Sequence, residues 1–187
     1  MRIIAGKAKG ISLQSPDFDG TRPSLDRVKE AMFGSVQFQI PGSTVLDLFS
    51  GSGALGLEAA SRGANHVYLN DVNPKSIKCI KDNIIKTKLE NITVTQYDYK
   101  KALQHYSDNG IQFQIILIDA PYKTEYATDS LEYIAKFNLI SSNGYIIVEH
   151  DYGHPPRLDT NSEYTIRKQK KMGTCAYTIL ESRKSSI

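Results

Sequence analysis

The sequence predicts a Rossmann-like α/β fold: a mostly parallel seven-stranded sheet, closed by a C-terminal antiparallel hairpin and preceded by a short N-terminal β-hairpin. Three observations predict it. Short apolar runs alternate with segments of helical period, as in repeated βα units around a parallel sheet. A glycine-rich turn follows the first of these runs, at residues 51–56. Two strand-like segments end the chain and meet at Met172 and Gly173, which predicts the closing hairpin.

The bulk composition indicates one globular domain. The chain has 187 residues, of which 40% are hydrophobic, enough for a sizeable core. We expect a single domain over residues 1–187, with an N-terminal arm over 1–23 and a helix plus the α/β core over 24–187. Cys79 and Cys175 lack C-x-x-C spacing, and there is no signal peptide or apolar run of membrane length. These features predict reduced thiols in a cytoplasmic protein.

Basic residues concentrate in two segments, although the formal net charge is only +3. Residues 1–10 and residues 165–172 contain no acid. Their basic residues are Arg2, Lys7, Lys9, Arg167, Lys168, Lys170 and Lys171. Taken together the two segments suggest a polyanionic partner, whereas either one alone is better explained as a solvated surface.

Residues 1–23 predict a basic hairpin followed by a loop. Residues 2–13 form two strand-like runs around a glycine-bearing turn. The lysines fit an arm that binds nucleic acid, and they equally fit an ordinary edge hairpin that charge protects from aggregation. Residues 14–23 are polar and contain Pro16, Gly20 and Pro23, which predict a loop.

A helix is predicted from Ser24, a residue type that caps helix N-termini, to about residue 39. Its predicted buried face has a 3.6-residue period and consists of Val28, Ala31, Met32, Ser35 and Val36. Lys29 and Glu30 lie off that face, as does Arg27. Arg22 and Arg27 flank the helix start, where they could bind a phosphate or a carboxylate; Arg27 could instead pair with Glu30.

The remaining elements follow from the apolar runs and the helical periods. Predicted strands cover residues 44–48, 66–69, 92–96, 111–118, 145–149, 165–171 and 174–181. Predicted helices cover residues 54–62, 99–106 and 129–137, and a further one begins at Pro74 with Asn73 as its cap. That helix is expected to face the sheet through Ile77, Ile80, Ile84 and Ile85. The run at 111–118 is almost continuously apolar, so we expect it at the centre of the sheet.

Asp47 stands at the end of the first strand, just before the glycines. The glycines match G-x-G-x-x-G, which alone is a weak signal and usually suggests NAD or FAD. A carboxylate at this place would repel a pyrophosphate, but it suits a ligand with a cationic end. S-adenosylmethionine (SAM) carries a sulfonium and an ammonium, and the closing hairpin is a feature of class I SAM-dependent methyltransferase folds. The expected binders of its methionine end are Asp47, Phe49, Ser50, Gly51 and Gly53.

Acids follow four of the predicted strands, namely Asp47, Asp71, Asp98 and Asp119. Each alone is explained as a loop-capping residue, but as a set they would line the ligand-binding edge of the sheet. Asp71 lies 18 residues beyond Gly53, near the offset of an acid that binds a ribose diol. Asp98 could accept from the adenine amino group, with Val72 and Tyr99 nearby. His66, His105 and His154 have no ligand-like spacing, so we predict no metal.

Asp119-Ala120-Pro121-Tyr122 resembles the D/N-P-P-Y/F motif of methyltransferases that act on exocyclic amines of nucleobases. Such an amine is a poor nucleophile because its lone pair is delocalised into the ring. The Asp119 carboxylate and the Ala120 carbonyl could accept its two N–H groups and aim the lone pair at the SAM methyl. Pro121 would fix the turn, and Tyr122 would stack on the flipped base. The alternative is a structural Asp-x-Pro turn.

Four blocks, at residues 2–6, 21–30, 46–59 and 119–122, resemble successive blocks of the RsmD family of bacterial 16S rRNA guanine-N2 methyltransferases. The similarity runs nearly end to end. The R-P-x-x-D-R-V-K-E block at 22–30 is much more specific than the glycine loop. One departure is Ala120, where the motif usually has proline.

The resemblance implies SAM-dependent methylation of the N2 amine of guanine 966 of 16S rRNA. It also implies that strands one and four are neighbours, which would bring Asp47 and Asp119 together. The N-terminal hairpin and the region from Arg22 to Arg27 would approach RNA, so the expected RNA-binding residues are Arg2, Lys7, Lys9, Arg22 and Arg27. We expect the partner to be 16S rRNA in an assembling 30S subunit, and the protein to be a monomer.

Other functions remain open at this stage. The same motif serves DNA or RNA adenine-N6 methyltransferases, and the Ala120 departure leaves room for a non-catalytic module that binds SAM or RNA. A small-molecule methyltransferase would not need a basic N-terminal hairpin. Glu149 and His150, at the end of strand five, could touch the base or the RNA, but residues there more often cap the loop.

Overall fold

Residues 1–16, 24–122, 124–158 and 162–183 are described in the computed structural model, and they form five α-helices and seven β-strands. The helices are α1 (Ser24–Ser35), α2 (Ala54–Ser61), α3 (Pro74–Thr87), α4 (Tyr99–Asp108) and α5 (Tyr126–Lys136). The strands are β1 (Thr44–Asp47), β2 (His66–Asn70), β3 (Ile92–Thr95), β4 (Phe113–Asp119), β5 (Ile140–Asp151), β6 (Tyr164–Met172) and β7 (Cys175–Ser182). Within these ranges no helix has both the length and the apolar character that a bilayer crossing needs.

The strands form one sheet in the order β3-β2-β1-β4-β5-β7-β6. Strands β1 to β5 are parallel, whereas β7 is antiparallel to both β5 and β6. The predicted sheet and its closing hairpin are confirmed, with β4 in the centre. Strands β1 and β4 are neighbours, with Asp47 opposite Leu117, as the resemblance implied. The hairpin turn is Gly173-Thr174, one residue later than predicted, and Gly173 has a φ of 73° there.

Two apolar layers cover the two faces of the sheet. The N-terminal segment, α1, α2 and α3 pack on one face, and α4 and α5 pack on the other. Strand β4 contributes to both layers, because Ile115 and Leu117 point to the first and Ile116 and Ile118 to the second. A strand buried on both faces must be apolar throughout, which explains the continuous run in the sequence.

The N-terminal segment pairs with itself through a single antiparallel bridge, Arg2 to Ser12, and not through the two strands predicted. Bonds from Ile3 N to Ile11 O (3.0 Å) and from Leu13 N to Met1 O (2.9 Å) flank the bridge. The pairing stops there because the residues between turn away and bond to α2. The hairpin shape is kept, but its ladder is short.

Glu58 of α2 holds this segment in place. Its fully buried carboxylate accepts from the backbone amides of Ile4 (2.8 Å) and Ala5 (3.1 Å). Arg62 Nε lies 2.7 Å from Oε1, and Lys29 Nζ lies 3.3 Å from Oε2. A buried charge is tolerated only when it is paired and hydrogen-bonded, and Glu58 meets both conditions.

Helix α1 differs from its prediction in two ways. It ends at Ser35 instead of about residue 39, and the chain continues in turns. Lys29, predicted off the buried face, is only 2% exposed, because its ammonium reaches Glu58 and donates to the Arg2 carbonyl. Burial lowers the pKa of Lys29, and Glu58 partly offsets that effect. Val28, Met32 and Val36 are buried as predicted.

Helix α3 packs through three of its four predicted residues, Ile77, Ile80 and Ile84. Asn73 caps it as predicted, accepting from Lys75 N (2.9 Å), and Ile77 and Ile80 are buried. The prediction that Ile85 faces the sheet is wrong, because this residue is 74% exposed. Asn83 is fully buried in its place, because its amide donates to the Ser52 and Gln14 carbonyls. Asn83 therefore joins the isoleucines on the buried face of α3 and links the helix to the glycine loop.

Candidate active site

A cavity of about 600 Å³ lies beyond the carboxyl ends of the parallel strands. Its wall contains residues of strands β1, β2, β4 and β5 or of the loops that follow these strands. This is where open α/β sheets bind ligands. Eleven of the predicted site residues line it: Phe49, Ser50, Gly51, Asp71, Val72, Asp98, Tyr99, Asp119, Ala120, Pro121 and Tyr122. Asp47 and Gly53 do not line it.

The glycine loop is held by hydrogen bonds from Ser50 and by the backbone conformation of two glycines. Ser50 N donates to Asn70 O (2.9 Å), and the Ser50 hydroxyl donates to Asp47 O (2.8 Å). Gly51 and Gly53 have φ of 54° and 81°, values that side chains disfavour, so glycine is required at the turn. Gly53 is buried as the N-cap of α2 and supports the loop from behind.

Gly56 explains the third glycine of the motif. A Cβ built at this position would lie 2.1 Å from Leu69 Cδ2 and 3.2 Å from Asp47 Cβ. No real side chain tolerates the first of these contacts. Gly56 therefore lets α2 pack directly against β1 and β2, which sets the position of the loop at the helix start.

Asp71 ties the glycine loop to the start of α3. Its Oδ2 accepts from Gly51 N (2.8 Å) and its Oδ1 from Asn73 N (2.8 Å). The side chain is half-buried and lines the cavity. A carboxylate accepts about four hydrogen bonds, so these two leave capacity for hydroxyls in the cavity. This geometry suits the predicted ribose contact.

Aromatic rings form the next part of the wall. The Tyr99 ring centroid lies 5.4 Å from that of Phe49 and 5.1 Å from that of Tyr126. Tyr99 donates to Asp129 Oδ2 (3.0 Å), and burial with this bond raises its pKa to about 12, so the ring stays neutral. Asp98 lies beside it, exposed, and caps α4 by accepting from Lys100 N (3.0 Å). The three rings contact one another, so a flat, apolar ring system could pack against this part of the wall.

Asp47 has a different place from the one expected. It is 1% exposed and lies beneath the loop, where its Oδ2 accepts from Gly56 N (2.9 Å). Its Oδ1 has no hydrogen-bond partner among the residues that the structure describes. Burial, with a smaller contribution from Asp71, raises its pKa to about 7. Asp47 therefore supports the loop and does not face the methionine end of a ligand directly.

The motif at the end of β4 forms the opposite wall. Asp119 is half-buried, Ala120 is buried and Pro121 is exposed. The Thr124 hydroxyl donates to the Pro121 carbonyl (2.7 Å), which closes the turn. The Tyr122 hydroxyl donates to Glu149 Oε1 (3.1 Å). Burial, Glu149 and Asp119 all raise the pKa of Tyr122, so its hydroxyl remains a donor.

Several wall residues were missed or undervalued from the sequence. Glu149, a minor candidate, lines the cavity at the end of β5. His150 does not: it is buried, with Nε2 2.9 Å from Thr178 Oγ1 and Nδ1 2.8 Å from Asp151 O. Lys29 and Tyr126 also line the cavity, and nothing in their local sequence pattern indicated it. A strand-end position was the one signal that pointed to Glu149.

Four of the five expected RNA-binding residues lie at the surface. Lys7, Lys9 and Arg27 are exposed, and so is Arg2, whose Nε lies 3.9 Å from Asp26. No Arg27–Glu30 ion pair occurs within the described part of the chain. Arg22 lies outside the described residues. The segment borders the site, because Met1, Ser15 and Pro16 line the cavity.

Comparison with known proteins identifies the family. The family model described as conserved hypothetical protein 95 matches residues 1–181. Ribosomal RNA small subunit methyltransferase D of Haemophilus influenzae is 31% identical over 187 residues, covering 97% of this chain and 94% of that protein. The protein of the same name in Escherichia coli K12 is 28% identical, covering 97% and 89%. The chain belongs to the RsmD family.

Solved structures agree with this assignment. An Escherichia coli protein, yhhF, whose name describes it as a candidate methyltransferase, superposes with a TM-score of 0.84 at 26% identity and 97% coverage of both chains. The Thermus thermophilus protein TTHA0928 gives 0.82 at 27% identity, covering 96% and 98%. A more distant structure, SMU.776 with bound S-adenosylhomocysteine, shares the fold at 18% identity with a TM-score of 0.67, covering 84% of this chain and 49% of that chain.

The RsmD-family cavity of this chain fits SAM. Asp71 offers carboxylate oxygens where ribose hydroxyls would lie, and the rings of Phe49, Tyr99 and Tyr126 offer a flat apolar surface. The cavity wall is acidic, with Asp119 and Glu149 on the far side, which suits a sulfonium and an ammonium. Among the described residues no three histidines, cysteines or acids come together as a metal site.

Proposed function

We propose that this protein transfers the methyl group of SAM to the exocyclic N2 amine of a guanine in 16S rRNA. One observation carries the proposal: the glycine loop and the Asp119–Tyr122 motif line the same cavity. Adjacent strands β1 and β4 deliver them, and the loop of β1 is further tied by Leu48 N donating to Leu117 O (3.1 Å). Donor and acceptor sites therefore lie side by side on a rigid sheet.

The donor side comprises residues 49–53, 70–73 and 97–99. Asp71 would accept the ribose hydroxyls, and Asp98 would accept from the adenine amine. The adenine ring would pack near Tyr99 and Val72, and the backbone at Phe49, Ser50 and Gly51 would face the methionine end. SAM supplies an electrophilic methyl group on a sulfonium. No basic residue is needed on this side, because SAM carries no phosphate.

The acceptor side comprises residues 119–122 and Glu149. Asp119 would accept one N–H of the guanine amine, and the Ala120 carbonyl would accept the other. Both bonds favour a pyramidal nitrogen with its lone pair directed at the methyl carbon. The N–CH₃ bond forms as the S–CH₃ bond breaks, and the nitrogen then loses one proton, for which Asp119 is the nearest proposed acceptor. The rate gain would come mainly from positioning.

Ala120 in place of the usual proline is compatible with this role. The carbonyl that accepts the hydrogen bond belongs to the backbone, so it is present with either residue. Ala120 is only 6% exposed, and the Thr124–Pro121 bond constrains the turn that follows. Packing and a hydrogen bond would thus supply rigidity that a second proline ring would otherwise give.

The RNA would approach over the N-terminal segment. Lys7, Lys9, Arg2 and Arg27 are exposed, and the same segment reaches the cavity mouth. Such residues would contact phosphates and make binding salt-dependent. Because a base must leave its stack to enter the cavity, we propose that the monomeric protein acts on 16S rRNA in an assembling 30S subunit, where folded RNA presents the target nucleotide.

Methyl transfer to 30S subunits tests the proposal. Subunits from a strain that lacks the modification are incubated with the protein and SAM carrying a labelled methyl, and labelled nucleosides are identified. We expect label in N2-methylguanine of 16S rRNA. No transfer, or label in N6-methyladenine, would overturn the proposal. If Asp119→Ala left the biological function intact, a non-catalytic SAM- or RNA-binding role would replace it.

A further inference from the structure

Asp119 ends β4, Glu149 lies opposite it on the neighbouring strand β5, and both face one cavity. Glu149 is only 3% exposed, yet it is part of the wall. Two carboxylates side by side in one cavity wall offer neighbouring acceptors, which match a ligand edge with neighbouring donors.

The Watson–Crick edge of guanine has this property. Its N1–H and its N2 amine are adjacent donors, so two acceptors side by side can bind both. Adenine presents its amine next to N1, which is an acceptor and would be repelled by a carboxylate. In 2,6-diaminopurine the N2 amine is kept, but N1 is again an acceptor. The proton that guanine carries on N1 therefore distinguishes it from both analogues.

The bond from Tyr122 orients the Glu149 carboxylate. A carboxylate accepts about four hydrogen bonds, and the Tyr122 hydroxyl uses one of them on Oε1. That bond also fixes the carboxylate against the wall, and the raised pKa of Tyr122 keeps its hydroxyl a donor throughout the neutral range. Glu149 is therefore held in one orientation next to the place of the target amine.

We propose that Glu149 accepts the N1–H of the target guanine while Asp119 accepts its N2–H, so that Glu149 selects guanine. The proposal rests on the proposed function and names a specificity-determining residue for it. A site built to hydrogen-bond a substrate N–H rejects an analogue that lacks it, because its buried acceptor is then unpaired. Glutamine at position 149 would weaken the preference for guanine, since its amide can donate to an unprotonated N1.

The test compares two substrates and three proteins. The 30S subunits are reconstituted with 16S rRNA that carries either guanine or 2,6-diaminopurine at the target position, and kcat/KM for N2 methylation is measured. For the native protein we expect a preference for guanine of about 100-fold. For Glu149→Gln we expect the ratio to fall at least about tenfold. Tyr122→Phe is the matched comparison: it removes the hydroxyl that orients Glu149 but keeps the carboxylate, so it should lower the ratio less than Glu149→Gln does.

Each possible result has its own consequence for the role of Glu149 or for the proposed function. If Glu149→Gln lowers kcat/KM for both substrates equally, Glu149 merely holds Tyr122 and the inference is wrong. If the native protein methylates both substrates equally well, the inference is wrong whatever the variants do, so it remains testable even if Glu149→Gln fails to fold. SAM affinity reports whether that variant is folded. If the native protein methylates neither substrate, the proposed function itself has failed.

Discussion

The donor side and the acceptor side of the cavity are built in different ways. On the donor side, the contacts involve the main chain. Asp71 accepts hydrogen bonds from two main-chain amides, and the lack of a Cβ at Gly56 lets the backbone of α2 approach β2 closely. On the acceptor side, Asp119 and Tyr122 are carried by a short turn at a strand end. Donor binding and folding should therefore be lost together, whereas methyl acceptance should be separable from both.

The largest expected effect is on the acceptor side. We expect Asp119→Ala to lower kcat for rRNA methylation by about 10²–10³, the usual result of removing one group that stabilises a transition state. SAM affinity should fall by less than about fivefold, as expected for one partly solvated charge, and the melting temperature should not change. Asp119→Asn is the matched control, because its amide oxygen still accepts, and it should retain more activity than alanine. A parallel loss of SAM affinity in Asp119→Ala would contradict the division between the two sides.

Asp71→Ala should affect binding and stability together. It removes an acceptor that holds Gly51 and Asn73 and that we propose for the ribose. We expect SAM affinity to fall by about 10- to 100-fold and the free energy of unfolding to fall by about 1–3 kcal/mol. Calorimetric titration and urea unfolding measure these. Asp98→Ala, which loses one exposed cap, should change both quantities less.

Two glycine substitutions test how tightly the donor side is packed. Gly56→Ala places a Cβ against Leu69 and should lower the free energy of unfolding by about 2–3 kcal/mol. Gly34→Ala is the control, because no atom lies within 4 Å of the added Cβ in that exposed part of α1. It should be neutral or stabilising by up to about 1 kcal/mol. Equal losses in both variants would show that the close approach of α2 is unimportant.

The smallest effect concerns Asp47 and pH. Its folded pKa is raised to about 7 from an ordinary value of 3.8, so the folded state binds its proton more tightly than the unfolded state. Stability should then fall as pH rises from 5 to 7, by about 2 kcal/mol at most. Asp47→Asn, which does not titrate, should lose this dependence. Urea unfolding at the two pH values measures the difference. The same dependence of the free energy of unfolding on pH in both proteins would exclude the raised pKa.

Periodicity in the sequence was sufficient to predict the sheet, and the glycine loop, the acids at strand ends and the motif at 119–122 predicted eleven of the residues that line the cavity. What it missed depends on contacts distant in the chain. Lys29 reads as a surface residue until Glu58, on another helix, is placed beside it. Ile85 fits the apolar stripe of α3, but Asn83 takes the inward position because the glycine loop offers it a carbonyl. Asp47 stands before the loop in sequence but beneath it in space.

Nucleoside mass spectrometry of 16S rRNA tests the central claim most directly. It compares a strain that lacks this protein with the same strain carrying the native gene or the Asp119→Ala variant. We predict that one N2-methylguanine is absent without the protein, restored by the native gene and still absent with the variant. An unchanged N2-methylguanine content in the strain lacking the protein, or the loss of N6-methyladenine instead, would contradict the account.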